Sequence, residues 1–220
     1  MSFNNLKQYN KEYILDDQEI SRIEVIKKII GKGNKVLDLG SREGHISEVL
    51  RNMGNDVDCI EIHPGNISLL RKKGFKVYDC DLNTEWADKM HDAYDIVFAG
   101  EVIEHLFQTD IFLENVYKVL KPNGIFVITT PNTASLGRRL LLLLGKNPAL
   151  ETSTRENEAG HIRYFVYPSL KKILEENKFK VINHCSDIVN LSYSGKLSSR
   201  VLAKLFPCLG RSIILKTIKN

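Results

Sequence analysis

Three acids stand where short apolar runs end: Asp38 in "VLDLGSREG", Glu61 in "DVDCIEI" and Asp81 in "FKVYDCDL". An apolar run, a glycine turn and then an amphipathic stretch put backbone N–H groups at a helix N-terminus, which suits an anionic or carboxylate-bearing ligand. Gly40 and Gly44 let that turn be tight and let a ligand lie against bare backbone. Glu61 follows about 20 residues later, where a carboxylate can accept both ribose hydroxyl protons of an adenosine-containing cofactor. Asp81 falls beside the same crevice and is placed to receive an adenine amino group. Loop, ribose acid and base-edge acid thus occur in order along the chain.

A second group could move a proton. Glu101 and His105 in "YDIVFAGEVIEHL" and the more distant His161 in "GHIRYF" are the candidates. His105 follows the fourth apolar run closely enough to reach the crevice, and His161 opens a segment that a closing lid would bring over a substrate. For both histidines a structural role, holding a loop or latching a lid, stands beside the catalytic one. Glu104 is expected to face solvent or cap a helix, and Arg163 and Tyr164 to contact a substrate or, for Tyr164 with Phe165, to pack in the core.

The elements that position these residues alternate between strand-like and helix-like from residue 17 onward, the signature of a parallel sheet with crossover helices. Strands are expected at 35–39, 56–62, 75–80, 94–100, 125–130, 179–187 and 212–218. Helices are expected at 17–30, 44–53, 64–73, 110–120, 135–144 and 168–177. The stretch 145–160, rich in charge and turn formers, reads as a mobile loop. The fold class is α/β: a three-layer sandwich around a seven-stranded, mostly parallel sheet, with the last strand antiparallel. One domain over 1–220 is expected, comprising an N-terminal helical segment (1–34), a ligand-binding core (35–134), a lid or substrate segment (135–167) and a sheet-completing segment (168–220).

A dinucleotide fingerprint would require glycine at 42 and 45, where Arg42 and His45 stand. The spacing of Asp38, Gly40 and Gly44 instead resembles the class I S-adenosylmethionine-dependent methyltransferases, which usually read D-L-G-C-G-x-G here. The resemblance covers about residues 35–187 and includes "CIEI", "YDCDL", "YDIVFAGEVIEHL", "VLKPNGIFVITTPN" and "GHIRYF" in the family's order. Within that family the chain is similar to small-molecule methyltransferases, including methionine-biosynthesis-associated, quinone and glycan-cluster types. The resemblance implies a Rossmann-like fold and S-adenosyl-L-methionine as cofactor. It assigns Asp38, Gly40, Ser41 and Gly44 to the methionine part, Glu61 with Ile62 to the ribose, and Asp81 with Leu82 to the adenine. Gly100 and Glu101 would line the crevice near the sulfonium.

The departure from the pattern is Arg42, at the family's middle glycine. Its side chain either obstructs the ligand and demands another backbone angle, or pairs with the cofactor's carboxylate. Two functional readings follow. One is methyl transfer to an oxygen or nitrogen of a small-molecule acceptor, with Glu101, His105 and His161 as catalytic candidates. The other is a catalytically inactive methyltransferase-like protein that serves as a partner or regulator.

Composition narrows the remaining classes. The 220 residues are 43% hydrophobic and 26% charged, ordinary for a folded globular chain. The N-terminus lacks an apolar signal region and the leucine run 140–144 is too short to span a bilayer, so a cytoplasmic protein is expected. The four cysteines show no pairing pattern or His clustering, and neither disulfides nor a metal site are expected. Net charge is +4, with no acid after Asp187. The basic residues do not interleave with aromatics and no N/D-P-P-Y/F motif follows the fourth strand, which argues against nucleic acid. The leucines of "SLGRRLLLLLGKNP" are expected to be buried between layers or under a lid; a peripheral membrane or lipid-linked substrate contact is the alternative.

Overall fold

The computed structural model describes residues 17–148, 160–192 and 197–220. Most of the expected mobile loop, 149–159, lies outside the described residues.

A seven-stranded sheet has the order β3-β2-β1-β4-β5-β9-β6. Its strands are β1 (Lys35–Leu39), β2 (Asp56–Glu61), β3 (Lys76–Asp79), β4 (Tyr94–Gly100), β5 (Leu120–Pro131), β6 (Phe179–Cys185) and β9 (Ser212–Lys219). β3, β2, β1, β4 and β5 are mutually parallel, and β9 runs antiparallel between β5 and β6. Strand order reverses direction at β1 and β4, the switch point at which open α/β sheets bind ligands. The seven strands of this sheet match the expected ones; the short β7 (Val189–Asn190) and β8 (Ser198–Ser199), which pair in a separate two-stranded sheet, were not expected. Two-residue strands carry too little periodicity to be read from a sequence.

The helices are α1 (Asp17–Ile30), α2 (His45–Asn52), α3 (Pro64–Lys72), α4 (Thr109–Val119), α5 (Leu136–Leu143), α6 (Tyr167–Glu176) and α7 (Arg200–Leu205). Side chains alternate between faces along a strand, and the core divides accordingly. Val36, Ile96 and Phe98 pack with Ile26 and Ile30 of α1, Leu50 of α2 and Leu70 of α3. Leu37, Leu39, Val97 and Ala99 pack on the opposite face with Phe112 and Val116 of α4 and Leu170 and Leu174 of α6. Helices thus cover both faces, which is what parallel strands with apolar residues on both faces require.

α5 departs from expectation. None of its residues is buried, and Leu142 and Leu143 are 57% and 81% exposed. The leucine run is therefore not an interior helix. Tyr164 is likewise exposed, while its neighbour Phe165 is in the core.

Candidate functional site

The turn between β1 and α2 is shaped by three residues with positive φ: Gly40 at 68°, Arg42 at 50° and Gly44 at 85°. A Cβ on Gly40 would lie 2.9 Å from Val102 Cγ2, so only glycine leaves room there. Gly44 is the N-cap of α2, and a Cβ on it would lie 2.6 Å from Leu70 Cδ2. Its role is thus to let α2 pack on α3.

The expectation that this turn presents its N–H groups to a ligand needs correction. Gly40 and Ser41 both donate to the Ile60 carbonyl, at 2.9 and 3.1 Å, and Gly44 donates to the Ser41 carbonyl at 2.8 Å. Arg42 donates to Glu61 Oε2 at 2.7 Å. These four donors already have protein acceptors, because the turn continues the β1–β2 ladder past the strand ends.

Arg42 keeps a left-handed backbone, which most non-glycine residues avoid, and it is exposed.

Asp38 is 3% exposed, and its Oδ2 accepts a hydrogen bond from Ser47 Oγ of α2 at 2.5 Å. Burial pushes its carboxyl up to about 7; the Ser47 hydrogen bond opposes the shift and the nearby Glu61 charge adds to it. Glu61 is 4% exposed and accepts three backbone N–H groups, from Arg42 at 2.7 Å and from Ile62 and His63 at 2.9 Å each. A carboxylate has about four lone-pair sites, so roughly one remains for an incoming hydroxyl. Beyond β3, Asp81 Oδ1 accepts from the Asn83 backbone and side chain at 2.9 and 3.1 Å. Leu82 beside it is buried. The strand ends of β1, β2 and β3 therefore carry acceptors in the order expected, next to the bare backbone of Gly40. This set of acceptors fits an adenosine-bearing ligand.

The end of β4 carries the fourth expected residue. Glu101 has φ 56°, a strained angle for a glutamate, and such outliers persist where surrounding contacts enforce them. Its Oε1 accepts from Thr129 Oγ1 at 2.9 Å and its Oε2 pairs with Arg22 Nη1 at 3.1 Å. Gly100 before it is confined by packing, since a Cβ there would lie 2.7 Å from the Phe98 ring.

His105 and His161 come together, with ring centroids 4.8 Å apart. His105 Nδ1 lies 3.2 Å from the Gly160 carbonyl oxygen. A carbonyl only accepts, so Nδ1 is the protonated nitrogen in this contact, and in the neutral ring Nε2 is the basic one.

Glu104, expected at the surface, is 1% exposed. Its Oε2 accepts from Thr130 Oγ1 at 3.0 Å, and its backbone carbonyl accepts from Ile162 and Arg163. Burial, with the Glu101 charge second, pushes its carboxyl up to about 8. His161 Nε2 stands 3.9 Å from Glu104 Oε1, too far for a hydrogen bond.

The sequence showed no His cluster, yet possible ligand atoms of Glu104, His105 and His161 lie within 4.8 Å of one another. Two ligands of one zinc ion, each at ~2.2 Å, are at most about 4.4 Å apart, so the widest pair would have to close in to share an ion. Arg163 is not turned to a substrate: it donates to the carbonyls of Leu106 and Phe107 at 2.9 and 2.8 Å, tying its segment to the loop after His105.

Two residues of this region escaped the sequence reading. Arg22 is a buried cation on α1, and it shares the i, i+4, i+8 stripe with Ile26 and Ile30, a spacing that marks one helix face. Arg138 stands in the "GRRLLLLL" segment, whose two arginines carry no site signal in the sequence. Both line a cavity of about 320 Å³ that also reaches Glu101.

Comparison with known proteins agrees with this geometry. A family profile described as "Methyltransferase domain" matches residues 9–184. The ubiquinone biosynthesis O-methyltransferase of Azorhizobium caulinodans is 34% identical over 108 residues, covering 46% of this chain and 42% of that protein. The mitochondrial ubiquinone biosynthesis O-methyltransferase of Mus musculus is 31% identical over 161 residues, covering 68% of this chain and 42% of that protein. The chain thus spans less than half the length of these curated relatives. Among solved structures, magnesium protoporphyrin IX methyltransferase from Synechocystis with bound S-adenosylhomocysteine superposes with a TM-score of 0.63 at 14% identity, covering 99% of this chain and 94% of that one. At that identity the likeness is one of fold.

Proposed function

This chain belongs to the methyltransferase domain family, and from that premise we propose that it transfers a methyl group from S-adenosyl-L-methionine to an oxygen or nitrogen of a small molecule. Oxygen is favoured by the two O-methyltransferase relatives. The observation that carries the reading is the Glu61 carboxylate, buried at the end of β2 and fixed against the β1–α2 turn by three N–H groups. Glu61 and Ile62 would hold the ribose and Asp81 and Leu82 the adenine, while the turn of Asp38, Gly40, Ser41, Arg42 and Gly44, its N–H groups engaged within the protein, would border the methionine end. Gly100 and Glu101 would border the reacting carbon.

When bound, the cofactor supplies a methyl carbon on a sulfonium whose positive charge already activates the leaving group. The chain's part is to align the acceptor and remove its proton. His105 is the preferred base: with Nδ1 facing the Gly160 carbonyl, Nε2 is the nitrogen that would take the proton. His161 beside it and Glu101 at the strand end orient the acceptor. The inactive-partner alternative rested on Arg42, which is exposed and keeps the turn's backbone conformation.

Among the described residues no helix is long and apolar enough to cross a membrane. The four free thiols support a reducing cytoplasmic setting, and the exposed leucines of α5 favour contact with a lipid surface or a lipid-linked acceptor. The test is incubation with methyl-labelled S-adenosylmethionine and a panel of phenols, catechols and amines. Label transferred to an acceptor by the wild type but not by Glu61→Gln supports the proposal. Absence of transfer to every acceptor argues against it.

A further inference from the structure

The cavity beside Glu101 has a chemistry that the methyl-transfer reading does not require. It lies between α1, the ends of β4 and β5, α5 and β7, on the side of the sheet where parallel strands present their carboxyl ends. Its lining includes three arginines, Arg22, Arg138 and Arg211. Two of them are matched: Arg22 pairs with Glu101 at 3.1 Å, and Arg211 pairs with Asp187 at 2.7 Å.

Arg138 is different. Its Nη1 donates to the Asn132 backbone carbonyl at 3.1 Å, and it pairs with no carboxylate among the described residues. A guanidinium has five N–H donors in a planar fork, so most of its capacity for an oxyanion is unused. Burial lowers the pKa of this side chain, outweighing the opposing Tyr164 and Glu101 charges nearby. On the same wall, Asn190 Oδ1 is buried without a hydrogen-bond partner. Leu141 supplies an apolar face. A volume of about 320 Å³ suits a molecule the size of a single substituted ring.

We propose that this cavity seats the methyl acceptor and that the acceptor is a small acid, its carboxylate or phosphate clamped by Arg138 while Asn190 Oδ1 accepts a hydroxyl or amine hydrogen. The acid is thereby held next to Glu101, at the strand end that would border the reacting carbon. The inference rests on the methyl-transfer reading for the word acceptor, but the cavity's preference for acids can be measured without it.

The experiment is calorimetric titration of the full chain with benzoate, phenyl phosphate and neutral benzamide, each with and without S-adenosylhomocysteine. The proteins are the wild type, Arg138→Gln and Arg139→Gln. Arg139 is exposed on the same helix and serves as the control for general loss of charge. A charge-assisted clamp predicts that the preferred acid binds about 10- to 100-fold more tightly than benzamide, and that Arg138→Gln removes this preference. Arg139→Gln should retain it. Preference for benzoate assigns the clamp to carboxylates and preference for phenyl phosphate assigns it to phosphates.

Equal binding of benzamide and the acids, no binding of either acid, or an unchanged preference in Arg138→Gln overturns the proposal. A melting curve for Arg138→Gln that matches the wild type separates loss of binding from loss of fold. If the acids bind as expected while S-adenosylhomocysteine does not bind at all, the cavity assignment stands and the methyl-transfer reading fails.

Discussion

Glu61 accepts the backbone N–H of Arg42 at 2.7 Å, so the acid placed to hold a ribose also fixes the turn before α2. Arg42 contributes its backbone here, at φ 50°, while its side chain is exposed. Holding a non-glycine residue in this region costs about 1–2 kcal/mol, and glycine returns part of that as extra freedom in the unfolded chain. Arg42→Gly is therefore expected to change stability by less than about 1 kcal/mol. It should alter S-adenosylhomocysteine affinity by less than about threefold, or 0.7 kcal/mol. Urea unfolding and calorimetry check both. A tenfold gain in affinity would show that the side chain obstructs the ligand, and a tenfold loss that the guanidinium grips it.

Asp38 makes stability depend on pH in a direction opposite to most carboxylates. Its folded pKa of about 7 lies above the ordinary value of 3.8, so between those values the folded chain keeps a proton that the unfolded chain releases. Stability contributed by the neutral carboxyl is complete below pH 3.8 and is lost as pH rises toward about 7. Asp38→Asn removes this titration. Its unfolding free energy should rise relative to wild type between pH 4 and pH 8, by up to about 4 kcal/mol. A difference between the two proteins that does not vary with pH contradicts the assignment.

His105 separates a base from a brace. Glutamine at this position can still donate an N–H to the Gly160 carbonyl but cannot take a proton from an acceptor. His105→Gln should lower kcat by about 10²- to 10⁴-fold and leave cofactor affinity unchanged. Nitrogen NMR of the wild type should show the Nδ1–H tautomer of this ring. Full activity in His105→Gln would reduce the residue to a structural role.

The exposed leucines of α5 give a stability test of their own. Leu143 and Leu144 are 81% and 70% exposed, so Leu143→Ser and Leu144→Ser should each shift unfolding by no more than about 0.5 kcal/mol. Losses of about 2–5 kcal/mol, the range for emptying a core site, would mean that these side chains are covered in solution. Vesicle co-sedimentation of the same variants reads whether they meet lipid.

How much the sequence revealed depended on how local each signal was. The seven sheet strands and the helices α1 to α6 followed from hydrophobic period and turn residues, because burial on both faces leaves a continuous apolar run. Asp38, Glu61 and Asp81 were legible because strand ends and residue spacing fix them together. Glu104 is buried against the expectation because nothing local marks an acid that tertiary packing sets against Thr130 and the Ile162 and Arg163 backbone. The proximity of His105 to His161 spans 56 positions of chain and depends on how the segment after residue 160 returns to β4. The α5 leucines misled because composition sets the apolarity of a helix, while its position in the fold decides what covers it.

The central claim is that the ends of β1, β2 and β3 form a working cofactor site. Calorimetric titration of the wild type and Glu61→Gln with S-adenosylhomocysteine tests it most directly. The account predicts a dissociation constant on the order of 1–100 μM for the wild type, about −7 ± 1 kcal/mol, and loss of most of that affinity in a Glu61→Gln protein that melts as the wild type does. No binding by the wild type, or equal binding by the folded variant, would contradict it.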